Sequence, residues 1–175
     1  MTIKLRPVDE DDLPFLHRLI SDPDSTGAFQ WYGFQNPHRV REQWADNGML
    51  GDDRGMLIIA DGDEAAGFVS FRKQIADRAS YYWSMGIIVA PEFRGRGIGT
   101  EAQKLIARYL FDHTTANRIE ASTEIDNLAE QRALEKAGFT REGVLRGGGF
   151  RAGKWHDGVL YSMIRSDLDG EVTPG

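Results

Sequence analysis

The chain has 175 residues, enough for one domain with a substantial core, and its 41% hydrophobic and 27% charged composition excludes disorder. A net charge of −6 argues against general nucleic-acid affinity, and the absence of cysteine excludes disulfides, thiolate metal sites and a cysteine nucleophile. No apolar run is as long as a membrane span, and MTIKLRPVDEDD lacks the apolar segment of a secretion signal, so no membrane partner is expected and the cytoplasm is the expected location.

Thr2 to Val8 reads as a strand, with Ile3 and Leu5 on one face. Asp9 is placed to cap a helix carrying Leu13, Leu16, Leu19 and Ile20, which should end near Asp22-Pro23. Asp24 to Pro37 is expected as a loop dense in aromatics: Phe29, Trp31, Tyr32 and Phe34. Those rings either pack under a long connection or wall a substrate cleft. A short helix over 39–47 should be closed by Gly48. Strands over 56–60 and 65–73 flank the hairpin turn Asp61-Gly62-Asp63-Glu64.

The stretch from Tyr81 to Leu110 organises the rest. Tyr81, Trp83, Met85, Ile87 and Val89 alternate as in a strand, and Pro91 should stop it by Ala90. Arg94-Gly95-Arg96-Gly97-Ile98-Gly99 is a glycine-rich turn. Ile98, Ala102, Leu105, Ile106, Tyr109 and Leu110 then repeat at helical spacing. A helix start leaves backbone N–H groups unpaired, the helix dipole adds positive character, and glycines admit a phosphate close to the backbone. Amides from Gly95 to Thr100, flanked by Arg94 and Arg96, are therefore expected to bind a pyrophosphate. The sequence lacks the Gly-Lys-Ser/Thr ending of a mononucleotide P-loop. A dinucleotide fingerprint would need glycine or alanine at Thr100, although Glu120 lies at the distance that rival requires.

Arg118 to Ile125 reads as a strand and Asn127 as the start of a helix that ends at Gly138. A last hairpin is expected from 139–150 and 154–165, joined by a glycine-rich loop. The sum is one mixed α/β domain over 1–168, about seven strands and four helices, with 169–175 as a tail.

These residues resemble a known family. Arg94-x-x-Gly97-x-Gly99, entered from Ile87-Ile88-Val89-Ala90-Pro91, is similar to the R/Q-x-x-G-x-G/A acetyl-CoA motif of the GNAT N-acetyltransferases. Asn127 and Ala133-Leu134-Glu135-Lys136-Ala137-Gly138-Phe139 resemble that family's N…(L/Y)EK-x-GF segment. Glu142-Gly143-Val144-Leu145-Arg146 and the run from Trp155 to Tyr161 resemble the branch of the ribosomal-protein N-terminal acetyltransferases. The resemblance implies a GNAT fold and direct acetyl transfer from acetyl-CoA to an amine, on a protein N-terminus or a small molecule. Donor contacts are implied at Ile87, Ile88 and Val89 through the backbone, at 94–100 for the diphosphate, and at Asn127 on the pantetheine arm. It also implies a bulge that parts the central strand from the next, for which Gly86 would be suited.

Proton transfer is less directly marked. Leu134 stands where many members have a catalytic tyrosine, and Glu130 where the ribosomal branch often has serine. Glu130 is expected to close a capping box with Asn127, with proton donation as the alternative. Glu120, Ser122 and Glu124 share a strand face, and Glu124 is the expected base, acting through water; its other reading is a surface carboxylate. His17, His38, His113 and His156 show no metal-ligand spacing, so no metal is expected. An antibiotic-modifying acetyltransferase, or a weakly active CoA-binding module, shares the same motifs. A homodimer is compatible with the sequence.

Overall fold

The computed structural model describes residues 2–169. The tail expected over 169–175 lies outside these, apart from its first residue. Seven strands form one sheet in the order β1-β2-β3-β4-β5-β7-β6. They are β1 (Ile3–Arg6), β2 (Arg54–Asp61), β3 (Glu64–Ile75), β4 (Tyr81–Val89), β5 (Arg118–Glu124), β6 (Thr140–Arg151) and β7 (Lys154–Ile164). Neighbours run antiparallel except β4 and β5, which are parallel and joined through α4 (Ile98–His113). That crossover is what a parallel pair requires.

The sheet is covered on both faces. On one, Trp83, Met85 and Ile87 of β4 pack with Ile98, Ala102, Ile106 and Leu110 of α4 and with Leu134 of α5 (Leu128–Lys136). On the other, Ile58, Phe68 and Ala90 pack with Leu13, Leu16 and Leu19 of α1 (Leu13–Ser21) and Val40 of α3 (Arg39–Asn47). The alternation of β4 is therefore used as its sequence pattern implies. The α4 stripe is broader than its pattern, since Gln103, Ala107 and Phe111 are buried while Tyr109 is 38% exposed.

Two short helices were not anticipated, α2 (Pro23–Thr26) and α6 (Arg165–Asp169), so the described residues hold six α-helices. Each is too short to show a period. Asp9 caps a 3-10 turn over Glu10–Asp12 that leads into α1, and Asp12 closes that cap while pairing with Arg6 at 2.6 Å. Gly48 ends α3 in the left-handed conformation, as expected. Past α5, Phe139 N–H donates to Leu134 O and Gly138 N–H to Glu135 O, the bond pair of a Schellman ending. The β6–β7 turn is Ala152-Gly153, both at positive φ; the run Gly147-Gly148-Gly149 lies within β6, where the register shifts. The expected hairpin is thus present, its loop a two-residue turn, and the run of three glycines is an irregular stretch of the expected strand. No helix among the described residues is long and apolar enough to cross a membrane.

Candidate active site

The turn before α4 has the form of an anion seat. Gly95 (φ 76) and Gly97 (φ 78, ψ 0) adopt left-handed conformations that other residues avoid, and a Cβ on either would meet nothing within 4 Å. Gly97 is the N-cap and supplies no side-chain bond, so the first-turn amides of α4 keep their donors open. Ile98 anchors the turn at 1% exposure, while Gly99 and Thr100 face the groove. Gly99 has no positive φ, and its Cβ would meet only Val89 Cγ2 at 3.9 Å. Gly99→Ala is accordingly expected to keep CoA affinity within about threefold, or about 0.7 kcal/mol, by calorimetry.

The two arginines of the turn have separate tasks. Arg94 donates through Nε to Val89 O (2.9 Å) and through Nη2 to Ser25 O (2.7 Å), tying the turn to β4 and α2. Part of its guanidinium still lines the groove. Arg96 lies over the Phe93 ring at 5.3 Å and is not among the groove-lining residues. Arg132 and Lys136 of α5 line it instead, cations that sequence reasoning missed. Their spacing of four residues on one helix was the available signal.

The end of β4 opens the sheet. Pairing between β4 and β5 stops at Met85↔Ala121, although both strands continue. β4 stays in register with β3 through Val89, and β5 with β7 through Glu124. The parting therefore arises because each strand follows its outer neighbour. The expected bulge is absent from the β3–β4 pairing, and Gly86 sits in regular register opposite Ser70, whose Oγ would lie 3.3 Å from an added Cβ. Ala90 N–H donates to Ala66 O, so even-numbered peptide groups of β4 face β3. The odd ones, at Ile87 and Val89, face the opening, while Ile88 points its peptide at β3. Ile87 O is capped by Gln30 Nε2 at 2.9 Å, a contact 57 residues apart in sequence.

Two cavities meet in this opening. The larger, about 600 Å³, runs from Gly95, Gly97, Gly99 and Thr100 along Ile87, Ile88 and Val89 to Asn127 and Glu130. The smaller, about 250 Å³, lies beyond, among Phe29, Tyr32, Met85, Ser122, Glu124 and His156. Phe29, Gln30, Ile87 and Glu130 line both. The aromatic segment after α1 is thus a cleft wall at Phe29 and Tyr32, whereas Phe34 is 90% exposed and packs edge-on to Trp31.

Glu130 stands at the junction. Asn127 Oδ1 accepts the Glu130 N–H, but the Glu130 carboxyl does not return to the Asn127 N–H, so the capping box is only half formed. Its Oε1 instead accepts from Gln103 Nε2 at 2.6 Å. Gln103 is fully buried on α4 and its own Oε1 has no partner among the described residues. Burial pushes the Glu130 carboxyl up to about 7, with the Gln103 bond pulling the other way. It therefore holds its proton to higher pH than an exposed carboxyl does.

Glu124 is held differently. Arg151 Nε and Nη2 grip it at 2.5 and 2.8 Å, and His156 Nδ1 lies 3.4 Å from Oε2. The bonds from Arg151 keep the carboxyl below its ordinary range, so it is ionised. Glu120 turns away to Arg118, which also binds Glu142. Of the three polar residues expected on one face, only Ser122 and Glu124 line the cavity. Leu134 is fully buried in the core. No cluster of His, Asp or Glu among the described residues could hold a metal.

A seven-stranded sheet whose parallel pair parts above a glycine-started helix specifies a family, and comparison decides it. The acetyltransferase (GNAT) domain profile matches residues 2–140. The chain belongs to the GNAT acetyltransferase family. This GNAT enzyme is 31% identical over 131 residues to a Bacillus subtilis protein provisionally named as a ribosomal N-acetyltransferase, YdaF, covering 75% of this chain and 68% of that one. It is 26% identical to the spermidine N(1)-acetyltransferase of Escherichia coli K12, covering 99% and 92%. The structure of the Vibrio cholerae spermidine N-acetyltransferase with CoA and spermine matches at TM-score 0.79 and 19% identity, covering 94% and 96%.

The GNAT enzyme uses acetyl-CoA, which supplies the acetyl group as a thioester. The site fits that donor on its own geometry: open amides at a helix start, outward-facing peptides on β4, and a groove joining them. The protein is thus an acetyltransferase of the GNAT family.

Proposed function

We propose that the amine, borne by a protein N-terminus or a small molecule, enters the smaller cavity while the acetyl donor lies in the larger one. The observation that carries this reading is the meeting of the two cavities at Glu130, between the parted strands. In this reading the amides of Gly95, Gly97, Gly99 and Thr100 hold the diphosphate, helped by Arg94, and Ile98 seats the turn. Arg96 lies near enough in sequence to add long-range charge but makes no groove contact. The N–H groups of Ile87 and Val89, whose carbonyls are held by Gln30 and Arg94, align the pantetheine arm, with Ile88 fixing the strand and Asn127 on the far wall. Protonated Glu130 holds a proton where the thiol departs. Ionised Glu124 receives the amine proton through water.

The test is an amine panel with acetyl-CoA, read as free thiol. Thiol release with at least one amine and none without supports the reading, and none with any amine rejects it. Glu124→Gln is expected to lower kcat about tenfold with the KM for acetyl-CoA unchanged. An unaltered pH–rate profile would remove Glu124 from the proton path.

The reading extends to the cytoplasm, where CoA is available, and to a homodimer. The edge strand β6, with Val144, Leu145 and Phe150 exposed, supports the latter. Sedimentation at micromolar concentration tests it.

A further inference from the structure

The smaller cavity carries a charge count that bears on the acceptor. Three carboxyl groups line it: Glu124, Glu130 and Asp157. Glu124 is matched by Arg151, which grips both of its oxygens. Glu130 is held by the Gln103 amide. Asp157 accepts the Gly147 N–H through Oδ1 at 2.7 Å, and its Oδ2 has no partner among the described residues. The remaining walls are mixed, with Phe29, Tyr32, Met85, Ile87, Ala121 and Leu145 beside the polar Gln30, Ser122, Thr123 and His156.

Resting on the acetyltransferase reading above, we infer that the acceptor is a singly charged primary amine, and that Arg151 sets this preference by cancelling Glu124. Of the three, Asp157 then remains as the carboxylate with no side-chain partner among the described residues, enough for one ammonium. A polyamine brings further ammonium groups, and each must find a carboxylate or stay in water. The rest of the lining offers no further carboxylate. Arg151 thereby leaves the pair with no net charge to hold a second ammonium. It is placed firmly: its guanidinium lies over the Phe29 ring at 5.6 Å and is gripped by a carboxylate that is itself only 11% exposed. Arg151 precedes the tight Ala152-Gly153 turn, on the same face of β6 as Gly149, which lines the cavity. The spermidine-acetylating relatives are thus similar in fold and donor without fixing the acceptor here.

Two sources could present such an amine, and the test separates them. With acetyl-CoA saturating, kcat/KM is measured for 2-phenylethylamine, for a short peptide with a free apolar N-terminal residue, and for spermidine. At least one of the first two should exceed spermidine about tenfold. Whichever leads identifies the source, and spermidine leading overturns the inference. Arg151→Leu should raise the ratio of spermidine to 2-phenylethylamine about tenfold, because Glu124 then faces the cavity unmatched. An unchanged ratio overturns it. Should that variant fold poorly, Asp157→Asn gives a second reading: the KM of the preferred amine rises about tenfold with the KM for acetyl-CoA unchanged. An unmoved amine KM overturns it equally. Calorimetry of the amines on the CoA-loaded protein needs no turnover. Loss of all acetyl transfer would therefore reject the acetyltransferase reading, while the order of binding would still decide the charge rule.

Discussion

Gly97→Asp should weaken CoA binding at least about 100-fold, or about 2.8 kcal/mol, while leaving the domain folded. The position has φ 78 and ψ 0, and an added Cβ meets no protein atom within 4 Å. Aspartate tolerates the left-handed region better than most residues, which keeps the folding cost small. The damage falls on the ligand. A carboxylate would stand among amides whose only natural counterpart is an anion, and it would cap the helix start itself. Gly97→Asn separates the two effects, since it has the same shape without charge and should lose only part of the affinity. Calorimetry with CoA measures both. Equal affinity of wild type and the Asp variant would remove the helix start from the binding site.

Glu130→Gln should lower kcat about 100-fold, with CoA affinity within about threefold, because the variant keeps the shape and loses the transferable proton. It should also change stability in a direction fixed by the sign of the shift. The folded carboxyl is raised from 4.5 to about 7, so the native state binds a proton that the unfolded chain has released. That stabilisation is fully present below 4.5 and fades as pH rises through 7. Above this range the wild type carries a buried charge costing about 3 kcal/mol, which glutamine does not have. Urea unfolding across pH 4 to 9 should therefore show a slope in the wild type that the variant lacks, with the variant the more stable at the alkaline end. Parallel stability curves would mean that Glu130 ionises normally, and would withdraw it as the proton holder.

The glycine turn and the open helix start behind it were legible because they are local. Strand, glycine turn and helix are continuous in sequence, and their chemistry lies in backbone amides that only chain geometry must expose. The Schellman ending at Gly138 was legible for the same reason. The acceptor side was not. Gln30 and Ile87, Glu124 and Arg151, Gln103 and Glu130 are pairs brought together by tertiary packing from different elements. Glu130 shows the cost most clearly. Its spacing from Asn127 fits a capping box, but a buried amide on α4 competes for the same carboxyl and takes it. Gly86 shows a related limit. Glycine there suited a bulge, but the parting of the strands needed no distortion at that residue, only divergent outer partners.

The contact between Gln30 and Ile87 constrains anyone who would re-engineer acceptor choice. The segment that walls the cleft also serves as a strut for the wedge in the sheet, because it occupies a carbonyl that the neighbouring strand has abandoned. A transplanted wall from another enzyme would have to bring a donor of equal reach to that spot. Without one, recruiting a different substrate would also loosen the seat of the acyl donor, and the two properties would fail together.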